Sequence, residues 1–174
     1  MIMYEVEIRQ QLSKIAKWIG EQSPTNFSVL CWSVWHKTEP TYVLSLLQKR
    51  NAHLVCVEDD NGEIRVILYF ELRTPQEDKL DNVAVATFAS SIIDKNDYDN
   101  NDGTHYKALL DWMFKRYLSY GVPVYSGDFF AVEQCTNWLK ELCGKYLTVI
   151  GEKDTRLGKV FRFTIDIKGY VEKT

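Results

Sequence analysis

The chain has 174 residues, of which 45% are apolar and 26% charged, and its formal net charge is −3. That is the profile of an ordinary globular protein, long enough to bury a sizeable core without disulfides or metals. It excludes a basic footprint, so nucleic-acid binding by phosphate neutralisation is disfavoured. No stretch approaches the roughly 20 apolar residues of a membrane span, and "MIMYEVEIRQ" places charges where a signal peptide needs an apolar run, so a cytoplasmic protein with no membrane association is expected.

Residues 4–19 carry Leu12, Ile15, Ala16 and Ile19 at helical spacing, and Gly20 is a natural stop. "NFSVLCWSVW" (26–35) is apolar and rich in β-formers, which predicts a strand. A helix follows, with Thr38 as its cap, Pro40 in its first turn, and Tyr42, Val43, Leu46 and Leu47 on one face. "HLVCV" (53–57) and "IRVILYFEL" (64–72) flank Asn61-Gly62, a strong hairpin signal. A polar turn (73–81) leads to "NVAVATFAS" (82–90), whose small apolar residues predict a central strand. After an Asp/Asn-rich loop, a helix spans 104–120 with Tyr106, Leu109, Leu110, Met113, Tyr117 and Leu118 as its buried stripe. Gly121 ends it and Pro123 forbids continuation. "VPVYS" (122–126) predicts a strand. "AVEQCTNWLKELCG" (131–144) predicts a helix with Val132, Cys135, Trp138, Leu139 and Leu142 inward. "YLTVIG" (146–151) and "KVFRFTIDI" (159–167) form a final hairpin, and one α/β domain over 1–174 accounts for the pattern, with an N-terminal helix (1–20) and a core at 26–167.

The four cysteines form no CxxC and stand at no metal-ligand spacing to a histidine; Cys31 and Cys56 read as small core residues. The run of Asp94, Asp97, Asp99 and Asp102 does not fit a calcium loop, because an EF-hand starting at Asp97 would need Gly at 102 and Glu at 108, where Asp and Ala stand. No metal site is expected. His36, His53 and His105 show no partner pattern, and neither a GxSxG elbow nor a phosphate-binding P-loop is present.

The element order, and the stretch Asn100-Asn101-Asp102-Gly103-Thr104-His105 ahead of "ALLDWMFKRYLSYG", "VPVYS" and "NWLKELCG", resembles the GNAT (Gcn5-related N-acyltransferase) superfamily. That superfamily carries Q/R-x-x-G-x-G/A between its fourth strand and the next helix. The resemblance implies an α/β fold: a mixed central sheet with splayed fourth and fifth strands, flanked by about four helices. It implies an N-acyltransferase moving an acyl group from acetyl-CoA or another acyl-CoA to a primary amine. Asn100, Gly103, Thr104 and His105 then become the cofactor-binding residues, because N–H groups at a helix start and the helix dipole hold a pyrophosphate. The loop is degenerate: Asn100 stands for Gln/Arg, and His105 is large where a small residue is usual.

Two like unit charges near 4 Å cost about 1 kcal/mol in bulk water and about 4 at a surface dielectric, so the acidic run opposes a polyanion. A second reading of the loop is a capped helix whose acidic residues suit its positive end. For the chemistry, Glu71 at the end of the third strand is the candidate base. Lys140 stands where the superfamily often carries an acid Tyr, and Tyr125 or Tyr146 is the candidate substitute. Strands 82–90 and 122–126 are predicted to start as parallel neighbours and splay, with Gly103 at the mouth of the gap.

The stretch "NWLKELCGKYL…GKVFRFTIDIKG" is also similar to the end of small GNAT-like phage proteins, including virion and virion-assembly proteins of T7-type podophages. That resemblance implies the alternative: a catalytically inactive protein in the host cytoplasm or virion, acting by contact with a protein partner in virion assembly or host takeover.

Overall fold

The computed structural model describes residues 1–22, 25–33, 35–73, 83–130 and 133–173. Its centre is a seven-stranded sheet in the order β1-β2-β3-β4-β5-β7-β6. The strands are β1 (Ile2–Glu5), β2 (Ala52–Glu58), β3 (Ile64–Arg73), β4 (Val85–Ile93), β5 (Val124–Phe130), β6 (Leu147–Thr155) and β7 (Gly158–Asp166). The helices are α1 (Arg9–Glu21), α2 (Phe27–Trp32), α3 (Pro40–Ser45), α4 (Lys95–Asp99), α5 (Thr104–Ser119), α6 (Glu133–Cys143) and α7 (Ile167–Glu172). The four anticipated helices are thus joined by three short ones, α2, α4 and α7. No helix among the described residues is long and apolar enough to cross a membrane. Of the polar turn expected at 73–81, Arg73 is the last residue of β3 and the rest lies outside the described residues, as does the expected inward Val132.

Helices cover both faces of the sheet, and the strand sequences follow from that. Val55, Val57, Val66, Leu68 and Phe70 face α5 and α6, while Leu54, Cys56, Ile67 and Tyr69 face α1, α2 and α3. Strands buried on both sides must be apolar at consecutive positions, which is why β2 and β3 read as runs rather than alternations. The hairpin between them turns at Gly62, with φ +75°, and closes through Asp59 N–H to Glu63 O at 2.9 Å.

Two local expectations change. Residues Ile2–Glu5 pair with β2, and the helix expected from residue 4 starts at Arg9 and runs past Gly20. Its N-terminus is held by the Gln11 side chain, whose Oε1 accepts from Glu7 N at 2.9 Å. The strand expected at 26–35 is helix α2. Asn26 caps it by accepting from Ser28 N at 2.9 Å, and Asn26 Nδ2 donates to Ile93 O at 2.9 Å. The end of β4 therefore receives side-chain bonds from a helix where a strand would have offered backbone ones. Burial of Ser28, Val29 and Trp32 supplies the contact, so tertiary context overrides β-propensity.

The feature that positions the site is the β4–β5 pair. The strands run parallel, in register from Val85↔Val124 to Phe88↔Gly127, and then part. Beyond that point β4 continues only beside β3, and β5 only beside β7. A register shift opposite Tyr69 and Phe70 leaves Ala89 as an extra residue in β4 at the place where the strands separate. A bulge there bends the strand and increases its twist, which opens the fork.

Candidate functional site

Two clefts stand out, one between the start of α5 and α6 and one at the crotch of the fork. The first, of about 560 Å³, lies at the start of α5 and is lined by Asp102, Gly103, Thr104, Lys107, Trp138 and Glu141, among others. Gly103 is buried against α6. A Cβ there would stand 2.7 Å from the Trp138 ring, although its φ of −88° suits any residue. Close approach to an indole, not backbone freedom, is therefore what requires glycine here.

Of the expected cofactor-binding residues, Gly103 and Thr104 line this cleft and Asn100 and His105 do not. The His105 ring turns inward, with Nδ1 2.7 Å from Asp97 Oδ2. It does not obstruct the helix start. The acidic run is largely spent within the fold. Asp97 is 3% exposed and also accepts from Arg65. Arg65 Nη2 lies 3.4 Å from Asp94 Oδ1, and Lys95 Nζ donates to Asp99 Oδ2 at 2.5 Å. Only Asp102 of the four faces the cleft, where its Oδ1 accepts from Thr104 N at 3.0 Å. The Thr104 hydroxyl, and then its N–H, hold the Asp102 carboxyl below the usual range. The single cation lining the cleft among the described residues, Lys107, donates to Glu141 Oε2 at 3.0 Å. The shape suits a diphosphate at a helix start, while the fixed charge does not.

The second cleft, of about 480 Å³, lies at the crotch of the fork. Thr87, Ser126, Gly127 and Glu71 are among the residues that line it. Glu71 Oε1 accepts from Lys49 Nζ at 2.8 Å and from the Tyr69 hydroxyl at 3.2 Å. Burial alone would raise its pKa, but Lys49 and Tyr69 outweigh that, so the carboxyl sits below its ordinary value. His36 lies in the same cleft. Its Nδ1 is 2.7 Å from the Tyr42 hydroxyl, and its buried Nε2 has no hydrogen-bond partner. Burial, then Lys49, push its pKa down to about 4, so the ring is neutral at physiological pH.

The tyrosine candidates fall elsewhere. Tyr125 is fully buried, its hydroxyl 3.5 Å from Met113 Sδ. Tyr146 packs against Tyr170, ring centroids 6.4 Å apart, and lines neither cleft. Lys140 is exposed on α6. Lys49 and Arg65 were not legible as site-forming residues, because each reaches its carboxylate across the fold. The lone signal for His36 was its place in a Trp/His-rich segment between α2 and α3.

No family model matches the sequence, and no curated protein matches it either. Solved structures do. A spermidine N-acetyltransferase SpeG chimera from Vibrio cholerae and hSSAT covers 99% of this chain and 98% of its own, with a TM-score of 0.64 at 13% identity. The ribosomal-protein-S18-alanine N-acetyltransferase from Escherichia coli covers 95% and 94%, with a TM-score of 0.62 at 12% identity. An aminoglycoside 6'-acetyltransferase type Ii covers 96% and 97%, with a TM-score of 0.59 at 13% identity. The chain has the fold of the GNAT acetyltransferases, end to end. Identities this low speak to the fold and leave the chemistry to the site.

Proposed function

We propose that the protein is an N-acyltransferase that moves an acyl group from acyl-CoA to a primary amine, with a weakened hold on the donor. The observation that carries this reading is the fork itself: parallel strands that part at Phe88 and Gly127, with a cleft holding a carboxylate at its crotch and a second cleft at the N-terminus of α5, the long helix between β4 and β5. The donor's diphosphate belongs at Gly103 and Thr104, its pantetheine arm between β4 and β5, and the acceptor beside Glu71. The three structures named above are of acetyltransferases named for spermidine, an alanine of a ribosomal protein and an aminoglycoside, all of them amines.

The amine nitrogen forms the C–N bond as the C–S bond breaks. The proton shed by nitrogen passes to Glu71, and the thiolate takes its proton from water. A carboxylate held below its ordinary pKa by Lys49 is a modest base, so turnover is slow. In a thiol-release assay with acetyl-CoA, Glu71→Gln should abolish what turnover there is. Acetyl-CoA at 100 times its dissociation constant should add about 2.7 kcal/mol of stability, seen as a rise in melting temperature. No rise at millimolar acetyl-CoA, with no thiol release from any amine, would sink the reading.

A second reading has its own observation. The diphosphate cleft carries two carboxylates, Asp102 and Glu141, and its lysine is already paired. Those residues favour a catalytically silent protein that keeps the fold and acts by contact with a protein partner, as in virion assembly or host takeover. A stable complex in a pull-down, with silence in both assays, would support it.

A further inference from the structure

The cleft at the crotch of the fork is lined from two distant parts of the chain. Trp35 and His36 come from the segment that follows α2, and Ile150 and Arg162 from the β6–β7 hairpin. A residue that does not line the cleft ties these two parts together. Arg156, in the turn of the hairpin, donates from Nη2 to Ser33 O at 2.9 Å and to Ser33 Oγ at 3.2 Å, across 123 positions. Both ends of the tie are held. Thr155 Oγ1 closes the turn by donating to Gly158 O at 2.7 Å and accepting from Leu157 N at 3.2 Å. Ser33 caps the end of α2, where its hydroxyl donates to Leu30 O at 2.6 Å. A helix end leaves carbonyls without partners inside the helix, and the guanidinium supplies one to Ser33. α2 is itself fastened to β4, because Asn26 Nδ2 and Ser28 Oγ both donate to Ile93 O. The hairpin is thus fastened, through α2, to the body of the sheet.

We propose that Arg156 is a positioning residue that clasps the β6–β7 hairpin to the end of α2 and so sets how wide an acceptor the fork cleft admits. The proposal rests on the N-acyltransferase reading and names a determinant of its acceptor choice. A volume of about 480 Å³ is the size of a small-molecule site, so the girth of the acceptor is felt at the lining. A slim amine enters with the clasp closed. A wide one must part the hairpin from α2, which forfeits the Arg156 hydrogen bonds. Arg156 is exposed, so those bonds exchange with water and their net worth is that of one ordinary hydrogen bond, a factor of about five in affinity. That is weak enough for the clasp to open and strong enough to discriminate. The discrimination arises because only the wide acceptor meets the cost of opening.

Pentylamine and adamantylmethylamine test this in a thiol-release assay with acetyl-CoA. Each carries one ammonium and they differ in girth, so the loss of the charge on Arg156 cancels in their ratio. Arg156→Ala should shift the kcat/KM ratio toward the wide amine by about fivefold, with the KM for acetyl-CoA unchanged. Lys159→Ala removes another exposed cation of the same hairpin, one that donates to Glu152 and not to α2, and should leave the ratio where it was. A ratio within twofold of the parent's in Arg156→Ala, or an equal shift in Lys159→Ala, would overturn the proposal. Should no amine release thiol, the acyltransferase reading fails by itself, and hydrogen exchange decides the clasp. The amides of Ser33, Trp35 and His36 close the end of α2 onto Val29 O and Trp32 O. In Arg156→Ala they should exchange at least fivefold faster while those of α5 are unchanged, and equal rates at all three would overturn the clasp.

Discussion

Replacing Gly103 by alanine separates two reasons for a glycine at the start of α5. If the residue serves only to let a phosphate approach, alanine should weaken donor binding and leave stability alone. The packing argues otherwise. An added Cβ would meet Cδ1 and Cγ of Trp138 at 2.7 Å, well inside the roughly 3.5 Å of comfortable carbon contact. The indole has little room to retreat: it is 3% exposed, with Tyr106 and Tyr98 at ring-centroid distances of 5.9 and 6.5 Å. Overpacking of this kind costs about 1–3 kcal/mol. The φ of −88° accommodates alanine, so the smaller unfolded-state entropy returns about 0.4–1 kcal/mol. A net loss of about 1–2 kcal/mol follows, which for a chain this long lowers the melting temperature by about 2–8 °C. Differential scanning calorimetry on Gly103→Ala, Trp138→Leu and the double variant measures the coupling. The alanine should be neutral or stabilising once the indole is gone, a coupling of about 1 kcal/mol or more. A Gly103→Ala protein as stable as the parent, with the two substitutions additive, would refute the packing argument.

Asp97→Asn removes a nearly buried charge that serves Arg65 and His105, and should cost about 3 kcal/mol in urea unfolding; a loss below about 0.5 kcal/mol would contradict the network. Asp102→Asn keeps the acceptor atom that caps Thr104 while removing a charge from the diphosphate cleft. Calorimetric titration with acetyl-CoA should show affinity gained by about 1 kcal/mol at low salt and less at high salt. His36, with its pKa held near 4 in the folded chain, contributes stability that is complete above the unfolded value of about 6.5 and is lost as pH falls from there to about 4. The loss is at most about 3 kcal/mol and smaller for a half-buried ring, and His36→Asn should flatten the stability curve across that window.

The sequence by itself determined the elements whose signals are local. The Asn61-Gly62 hairpin, the stripe and glycine stop of α5, and the alternation of Phe161, Phe163 and Ile165 in β7 all rest on contacts between near neighbours. The parallel start of β4 and β5 also followed, because a helix between two apolar strands leaves few ways back to the sheet, while their parting was implied by the family resemblance.

Tertiary structure decided what depends on residues distant in the chain. α2 is a helix because Asn26 and Ser28 reach Ile93, 65 to 67 positions away, and β-propensity cannot register that. The aspartate run reads as an open acidic loop until Arg65 arrives from β3 to neutralise Asp97 and Asp94. Glu71 reads as a strand-end carboxylate until folding sets Lys49 and Tyr69 on it. Charge is counted along a sequence but acts through space, over a few ångströms and in a locally lowered dielectric. The partners that set a carboxylate's role are therefore chosen by the fold.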